Sequence, residues 1–274
     1  MAELISQYAP LGAAIAVAGL IAGLVAGLFG IGGGVVIVPV LFFCFTALGF
    51  ADTAMHVAVG TSLATIIATS MRSVMSHNEK GAVDWAVIRT WWPWIAVGAL
   101  IGVTITGFFT SRGLAVVFGV VGLALSLQFV LGRPDWKLAQ DMPRGAARIG
   151  LGGGLGALSA LLGIGGGTFG VTFMTLCGRA IHQAVATSAG FGVAIGAPGA
   201  LAAVAVGWGR EGLPPGSVGH VNLPAFALIA VFTVAMAPVG ARLAHSLDAI
   251  LLRRLFGVAL ALAAANMLRE ALTA

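Results

Sequence analysis

The chain has 274 residues, of which 59% are hydrophobic and only 8% charged, with 41 glycines, a net charge of +5 and a mean hydropathy of +1.05. Globular domains carry about 25% charged residues, so a soluble fold is excluded, and several apolar runs approach the ~20 residues that cross a bilayer. The basic residues are spread over short connections, where Lys and Arg set membrane orientation, which argues against a nucleic-acid surface.

In chain order, the stretch MAELISQYAP carries Glu3 and no Lys or Arg. It lacks the basic start of a secretory signal, so the first apolar run is read as part of the mature chain. That run, about residues 11–29, contains Gly19, Gly23 and Gly27, a small-residue ladder suited to close helix packing. It ends in GIGGG, Gly30 to Gly34. Each glycine in a helix interior costs about 1 kcal/mol relative to alanine, and an unpaired peptide group in lipid costs several more. GIGGG is therefore expected to break the helix.

Further segments are predicted at about 33–50, 53–75, 86–109 and 114–131. Asp52-Thr53 and Asp84 stand where N-caps are expected. Trp91-Trp92-Pro93-Trp94 beside Arg89 reads as an interfacial aromatic belt. A polar linker at 133–146, expected to be cytoplasmic, is too short for a soluble domain. Beyond it, segments are predicted at about 147–163, 167–178, 182–206, 222–241 and 250–268.

The two sets match each other. GIGGG recurs as Gly163 to Gly167, at an offset of 133. His56, Thr61 and Ser62 correspond to His182, Thr187 and Ser188 at 126, and Gly98–Gly102 and Phe118-Gly119-Val120 recur at 138, as does the pair Gln128 and Asn266. Offsets that drift only through loop insertions mark a duplicated unit, here residues 1–132 and 147–274. If the first two segments of each half return to the side on which they began, 11 of the 14 basic residues share one face, leaving Arg112, Arg210 and Arg269 opposite. A single crossing by those segments gives parallel repeats and a split of 9 to 5. The positive-inside rule favours the inverted arrangement, with both termini outside. Segment 167–178, about 18 Å as a helix, is short of a ~30 Å core and is expected to enter only to mid-depth. The prediction is an all-α polytopic membrane protein of two inverted five-segment repeats, with 8–10 membrane helices broken or re-entrant at GIGGG.

Helix N-termini at such breaks present amide donors and a positive dipole end, a setting for anions. Gly32, Gly33, Gly34, Gly165, Gly166 and Gly167 are the candidate backbone donors; the competing reading is that these glycines only permit tight packing. His56, Thr61, Ser62, His182, Gln183, Thr187 and Ser188 are the candidate side chains, spaced to share a helix face. The alternative for the hydroxyls is bonding back to the carbonyl four residues earlier. All nine Asp and Glu residues fall in loops or at segment ends, so a cation would meet no counter-charge and a carboxylate proton relay is missing. Any proton coupling would fall to His56 and His182; sodium is the other candidate coupling ion. Cys44 and Cys177, each ten residues after a GIGGG, raise a membrane thiol–disulfide relay as the competing function, although no CxxC is present and buried cysteine also packs as a small apolar residue. An anion channel differs from a carrier only in gating. No cofactor, metal or catalytic residue is expected.

GLFGIGGGVVIVPVL followed by HVAVGTSLAT, and LLGIGGGTFGV followed by HQAVATSAG, resemble the TauE/SafE family of sulfite and organosulfonate transporters over nearly the whole chain. The resemblance implies carriage of small sulfur-containing oxyanions across a bacterial inner membrane. One departure is that Pro39 of the first half is matched by Thr172 in the second.

Overall fold

The structure is a computed structural model that describes residues 2–132, 139–244 and 249–273. Residues 133–138 of the linker, with Arg133 and Lys137, lie outside the described residues. Ten helices are present among the described residues: α1 Ala2–Phe29, α2 Gly34–Ala47, α3 Ala51–Asn78, α4 Trp85–Thr106, α5 Ser111–Leu131, α6 Gly145–Leu161, α7 Gly167–Leu176, α8 Ile181–Val206, α9 Leu223–Leu243 and α10 Ala249–Thr273. A two-residue hairpin, β1 Ser217–Val218 and β2 Val221–Asn222, lies between α8 and α9. Six helices (α1 from Gly12, α3, α4, α5, α8 and α9) are long and apolar enough to span a bilayer. The chain is an all-α polytopic membrane protein.

Both GIGGG motifs interrupt helices. α1 stops at Phe29 and α2 starts at Gly34; α6 stops at Leu161 and α7 starts at Gly167. Gly30, Gly32, Gly33 and Gly163 have φ between +65° and +81°, a region closed to most side chains. The 14 residues of α2 and 10 of α7 reach only about 21 and 15 Å. α2 keeps helical backbone through Pro39.

Packing follows the small residues. α1 lies against α9 through Gly19, Gly23 and Gly27, and a Cβ on Gly27 would stand 2.0 Å from the Ala237 carbonyl oxygen. α6 meets α4 in the same way, where a Cβ on Gly156 would stand 2.0 Å from the Ile95 carbonyl oxygen. The Gly19 ladder is thus a packing surface, as its spacing predicts. α3 crosses α8 with Leu63 near Gly196 and Ser70 near Gly192, so their contacts run in opposite chain directions. α5 and α10 do likewise, with Gly119 near Leu268 and Gly257 near Phe129.

Two local expectations are corrected. α3 is capped by Phe50 without a side-chain bond, and Asp52 sits in its first turn; the Thr53 hydroxyl instead donates to the Gly212 carbonyl at 2.8 Å. Tertiary contact has taken the hydroxyl that local capping would use. Trp91 does not face outward as a belt residue would: it is 2% exposed and packs against Phe173 with ring centroids 5.2 Å apart and planes tilted by 52°, while Trp92 faces outward. Asp84 does cap α4, accepting from the Val87 amide at 3.1 Å.

Candidate functional site

The fold presses the two breaks together. A Cβ on Gly34 would lie 2.3 Å from the Gly163 carbonyl oxygen, one on Gly165 2.4 Å from that of Ile31, and one on Gly167 2.2 Å from that of Gly30. No residue but glycine fits such backbone-to-backbone contact. Ser62 clasps the junction, donating to the Gly163 carbonyl at 2.7 Å. All of residues 30–34 and 163–167 are buried.

Buried backbone groups are almost always paired, yet these are not. Among the described residues, no protein acceptor meets the amides of Ile31, Gly32, Gly33, Gly165, Gly166 or Gly167. Five buried hydroxyl oxygens are also without a partner among the described residues: Thr46 at the far end of α2, Ser70 and Ser73 on α3, Ser159 on α6 and Thr168 on α7. Ser70 Oγ would lie 3.2 Å from a Cβ on Gly32, and Thr168 directly follows Gly167. The region is therefore rich in uncommitted donors. The polar run that carries Ser70 is visible in the sequence as hydroxyls at 61, 65, 69, 70, 73 and 76. A search for symmetric motifs passes over it, because the second half has Gly196 and Gly199 where Ser70 and Ser73 stand.

The other predicted side chains divide. Thr61 Oγ accepts the Asn222 amide at 2.9 Å and Thr187 Oγ accepts the Asp84 amide at 3.0 Å. Each threonine thus holds the start of the helix that caps itself with that Asn or Asp, α9 and α4. Ser188 reaches Met174 Sδ at 3.7 Å and lies beside Gly170. His56 is 1% exposed, whereas His182 is exposed and Gln183 half-buried in the first turn of α8; neither of the last two is brought to the breaks. The ring near His56 is that of His220, with centroids 5.1 Å apart. His220 has no counterpart in the first half, where offset 138 falls on Ala82.

Gln128 exchanges hydrogen bonds with Thr172 at 2.9 and 3.2 Å, while Asn266 is exposed. The Gln128–Thr172 pair lines a mostly apolar cavity of about 240 Å³ between α5, α6 and α7, with Phe169, Phe173 and Leu155. Thr172 is one turn beyond Thr168, so the cavity flanks the same short helix. Cys44 and Cys177 are buried free thiols. No cluster of three or more His, Cys, Asp or Glu suited to a metal occurs among the described residues.

Residues 15–267 match the family model described as sulfite exporter TauE/SafE. A probable membrane transporter protein of Haemophilus influenzae is 33% identical over 242 residues, covering 88% of this chain and 91% of that protein. The probable membrane transporter protein YunE of Bacillus subtilis is 33% identical over 181 residues, covering 59% of this chain and 66% of YunE. A probable membrane transporter protein of Methanocaldococcus jannaschii is 28% identical, covering 64% and 66%. No solved structure gives a significant match.

Proposed function

The chain belongs to the sulfite exporter TauE/SafE family, and from that premise we propose that it carries a small sulfur-containing oxyanion, sulfite or an organosulfonate, between the two glycine breaks. The observation that carries this reading is the set of buried amides at Ile31–Gly33 and Gly165–Gly167 with no protein acceptor. A sulfonate spreads one charge over three oxygens and suits several neutral donors. Six amides on two breaks, with the Ser70 and Thr168 hydroxyls, supply such donors without a buried Arg or Lys. Binding is then reversible, as carriage requires. Thr61 and Thr187 hold the helices that frame the site, and Ser62 closes the junction.

Backbone contact between the breaks leaves no room for an anion in this arrangement. Substrate therefore enters when the halves part, an alternating-access cycle of a plasma-membrane carrier. Two inverted repeats would permit that motion. The antiparallel courses of the matched pairs α3 with α8 and α5 with α10 favour inversion over a parallel duplication, in which matched helices would run the same way. The cavity along α7 offers apolar space for the organic part of a sulfonate.

The test is uptake of labelled sulfite, taurine, isethionate and sulfoacetate into proteoliposomes, with sulfate and acetate as controls. Accumulation of a sulfur oxyanion against its gradient is expected, whereas dissipation alone would indicate a channel. Gly33→Val and Gly166→Val should insert normally and lose binding, since Gly33 has φ +81° and a Cβ on Gly166 would stand 2.5 Å from Phe191 Cβ. Tight sulfonate binding by either variant in calorimetry would move the site elsewhere. Uptake should survive Cys44→Ser with Cys177→Ser; its loss would revive the thiol relay.

A further inference from the structure

The connection between α8 and α9, residues 207–222, is seated on the motif helix of the other half. The His220 amide donates to the Ala203 carbonyl at 3.1 Å, and a Cβ on Gly60 would stand 2.2 Å from the His220 carbonyl oxygen. Gly207 leaves the space in which the His220 ring lies, at 2.6 Å from its would-be Cβ. Thr53 and Thr61 pin Gly212 and Asn222. The corresponding connection in the first half, residues 79–84, is ten residues shorter by the element bounds (16 against 6) and carries no hairpin.

At the centre of this contact are two imidazoles, each 1% exposed. His56 Nε2 faces the carbonyl oxygens of Thr106 at 3.2 Å and Phe109 at 3.1 Å. Both are acceptors, so Nε2 carries the hydrogen and Nδ1 of the neutral ring is a lone pair. His56 Nδ1 and His220 Nε2 are buried ring nitrogens without a partner among the described residues. Buried polar atoms left so are rare.

We propose that His56 and His220 form a proton-binding site that controls seating of the 207–222 connection, with its hairpin, on α3: proton-free when the hairpin is seated, protonated when it lifts into water. This rests on the carrier reading above and gives that carrier its proton site. Charged groups around the pair are few. α4 contributes only the two carbonyl oxygens, α5 the Ser111 hydroxyl that binds the Met55 amide, and α8 apolar Ala203 and Gly207. On α3 itself Asp52 is exposed one turn away; on the 207–222 connection Arg210 and Glu211 are exposed, and Arg210 is the cation acting on the His220 ring. Arg112 of α5 is engaged with the Ala271 carbonyl of α10.

The sign follows from burial. Desolvation, His56 and Arg210 hold the seated His220 down to about 4, whereas an imidazole in water sits near 6.5. A depressed value means that the seated form is favoured above ~6.5 and is lost as pH falls from there toward 4. Added protons therefore favour the lifted hairpin, by up to about tenfold per pH unit in that window. A transition at mildly acidic pH is the expected signature.

Maleimide labelling reads seating directly. Val221 is 5% and Val218 38% exposed on the same hairpin, so single-site Val221→Cys and Val218→Cys variants report a covered and an uncovered position. Their rate ratio cancels the pH dependence of thiol reactivity. In liposomes the ratio should rise at least tenfold between pH 7.5 and 5, should be flat in His220→Gln, and should rise less in His56→Gln, where His220 is still desolvated. A flat ratio with both histidines present overturns the proposal, as does an unchanged pH response in the two Gln backgrounds. Sulfite uptake followed in the same vesicles separates the two readings. A pH-dependent ratio without uptake at any pH leaves the switch and removes the carrier, while uptake with a flat ratio does the reverse. A pH optimum of uptake that disappears in His220→Gln supports both.

Discussion

α3 and α8 occupy matching places beside the two breaks, and they use those places differently. α3 buries Thr61, Ser62, Thr65, Thr69, Ser70, Ser73, Ser76, His56 and His77. α8 buries Thr187 and Ser188 and then Gly190, Gly192, Gly196 and Gly199. One helix supplies hydroxyls and the other makes room for them: a Cβ on Gly192 would stand 2.0 Å from Ser70 Oγ. Thr65 and Thr69 spend their hydroxyls on the carbonyls four residues back, but Ser70 and Ser73 do not. Backbone amides at the breaks come from both halves, whereas side-chain donors are concentrated on α3, with Thr168 as the contribution of α7.

Substitutions ranked by effect can break or sharpen that comparison. The largest is expected where the halves touch. Gly167→Ala would bring Cβ within 2.4 Å of three backbone atoms of Gly30 and Ile31. Overpacking of this kind costs about 3 kcal/mol, read as a lower thermal midpoint together with lost binding. Next come the hydroxyls. Ser70→Ala and Thr168→Val should each weaken sulfite binding by about 1.5–3 kcal/mol, the worth of a hydrogen bond to a charged group. Ser188→Ala should leave affinity unchanged in calorimetry, because that hydroxyl is turned to Met174. Equal losses from Ser70→Ala and Ser188→Ala would restore a symmetric site.

The threonine clamps come third. Thr61→Val strips the acceptor from a buried amide, at about 1–3 kcal/mol of stability. Thr187→Val does so at a part-buried one, where water compensates and about 1 kcal/mol is expected. Unfolding midpoints of the two variants test that order. The smallest effect is at the surface. Arg144, 85% exposed in its pair with Asp141, should tolerate alanine with no shift in midpoint, since exposed ion pairs contribute little.

Much of this was legible in the residues. GIGGG could be read as a helix break because glycine runs oppose helix locally, and its recurrence pointed to a paired role. Asp84 could be read as a cap because capping is a contact over three residues. Asp52-Thr53 and Trp91 misled for the opposite reason: Gly212 lies 159 residues from Thr53, and Phe173 lies beyond the linker from Trp91. The motif threonines 61 and 187 were found by their repetition, but repetition does not say what an oxygen accepts. Each meets an amide from the other half, more than 100 residues away.

The sequence by itself determined the medium, the helical class, the two breaks and the resemblance that the family match bears out, because composition, glycine content and repeated motifs are properties of the chain. Only the tertiary structure decided that the breaks meet at backbone contact, that Ser70 and Thr168 stand there without partners, and that His220 rather than His182 joins His56. Those facts depend on which distant segments the small residues allow to approach. In lipid, close approach is set by side-chain size and by unpaired polar groups rather than by hydrophobicity, and both become visible only when the helices are assembled.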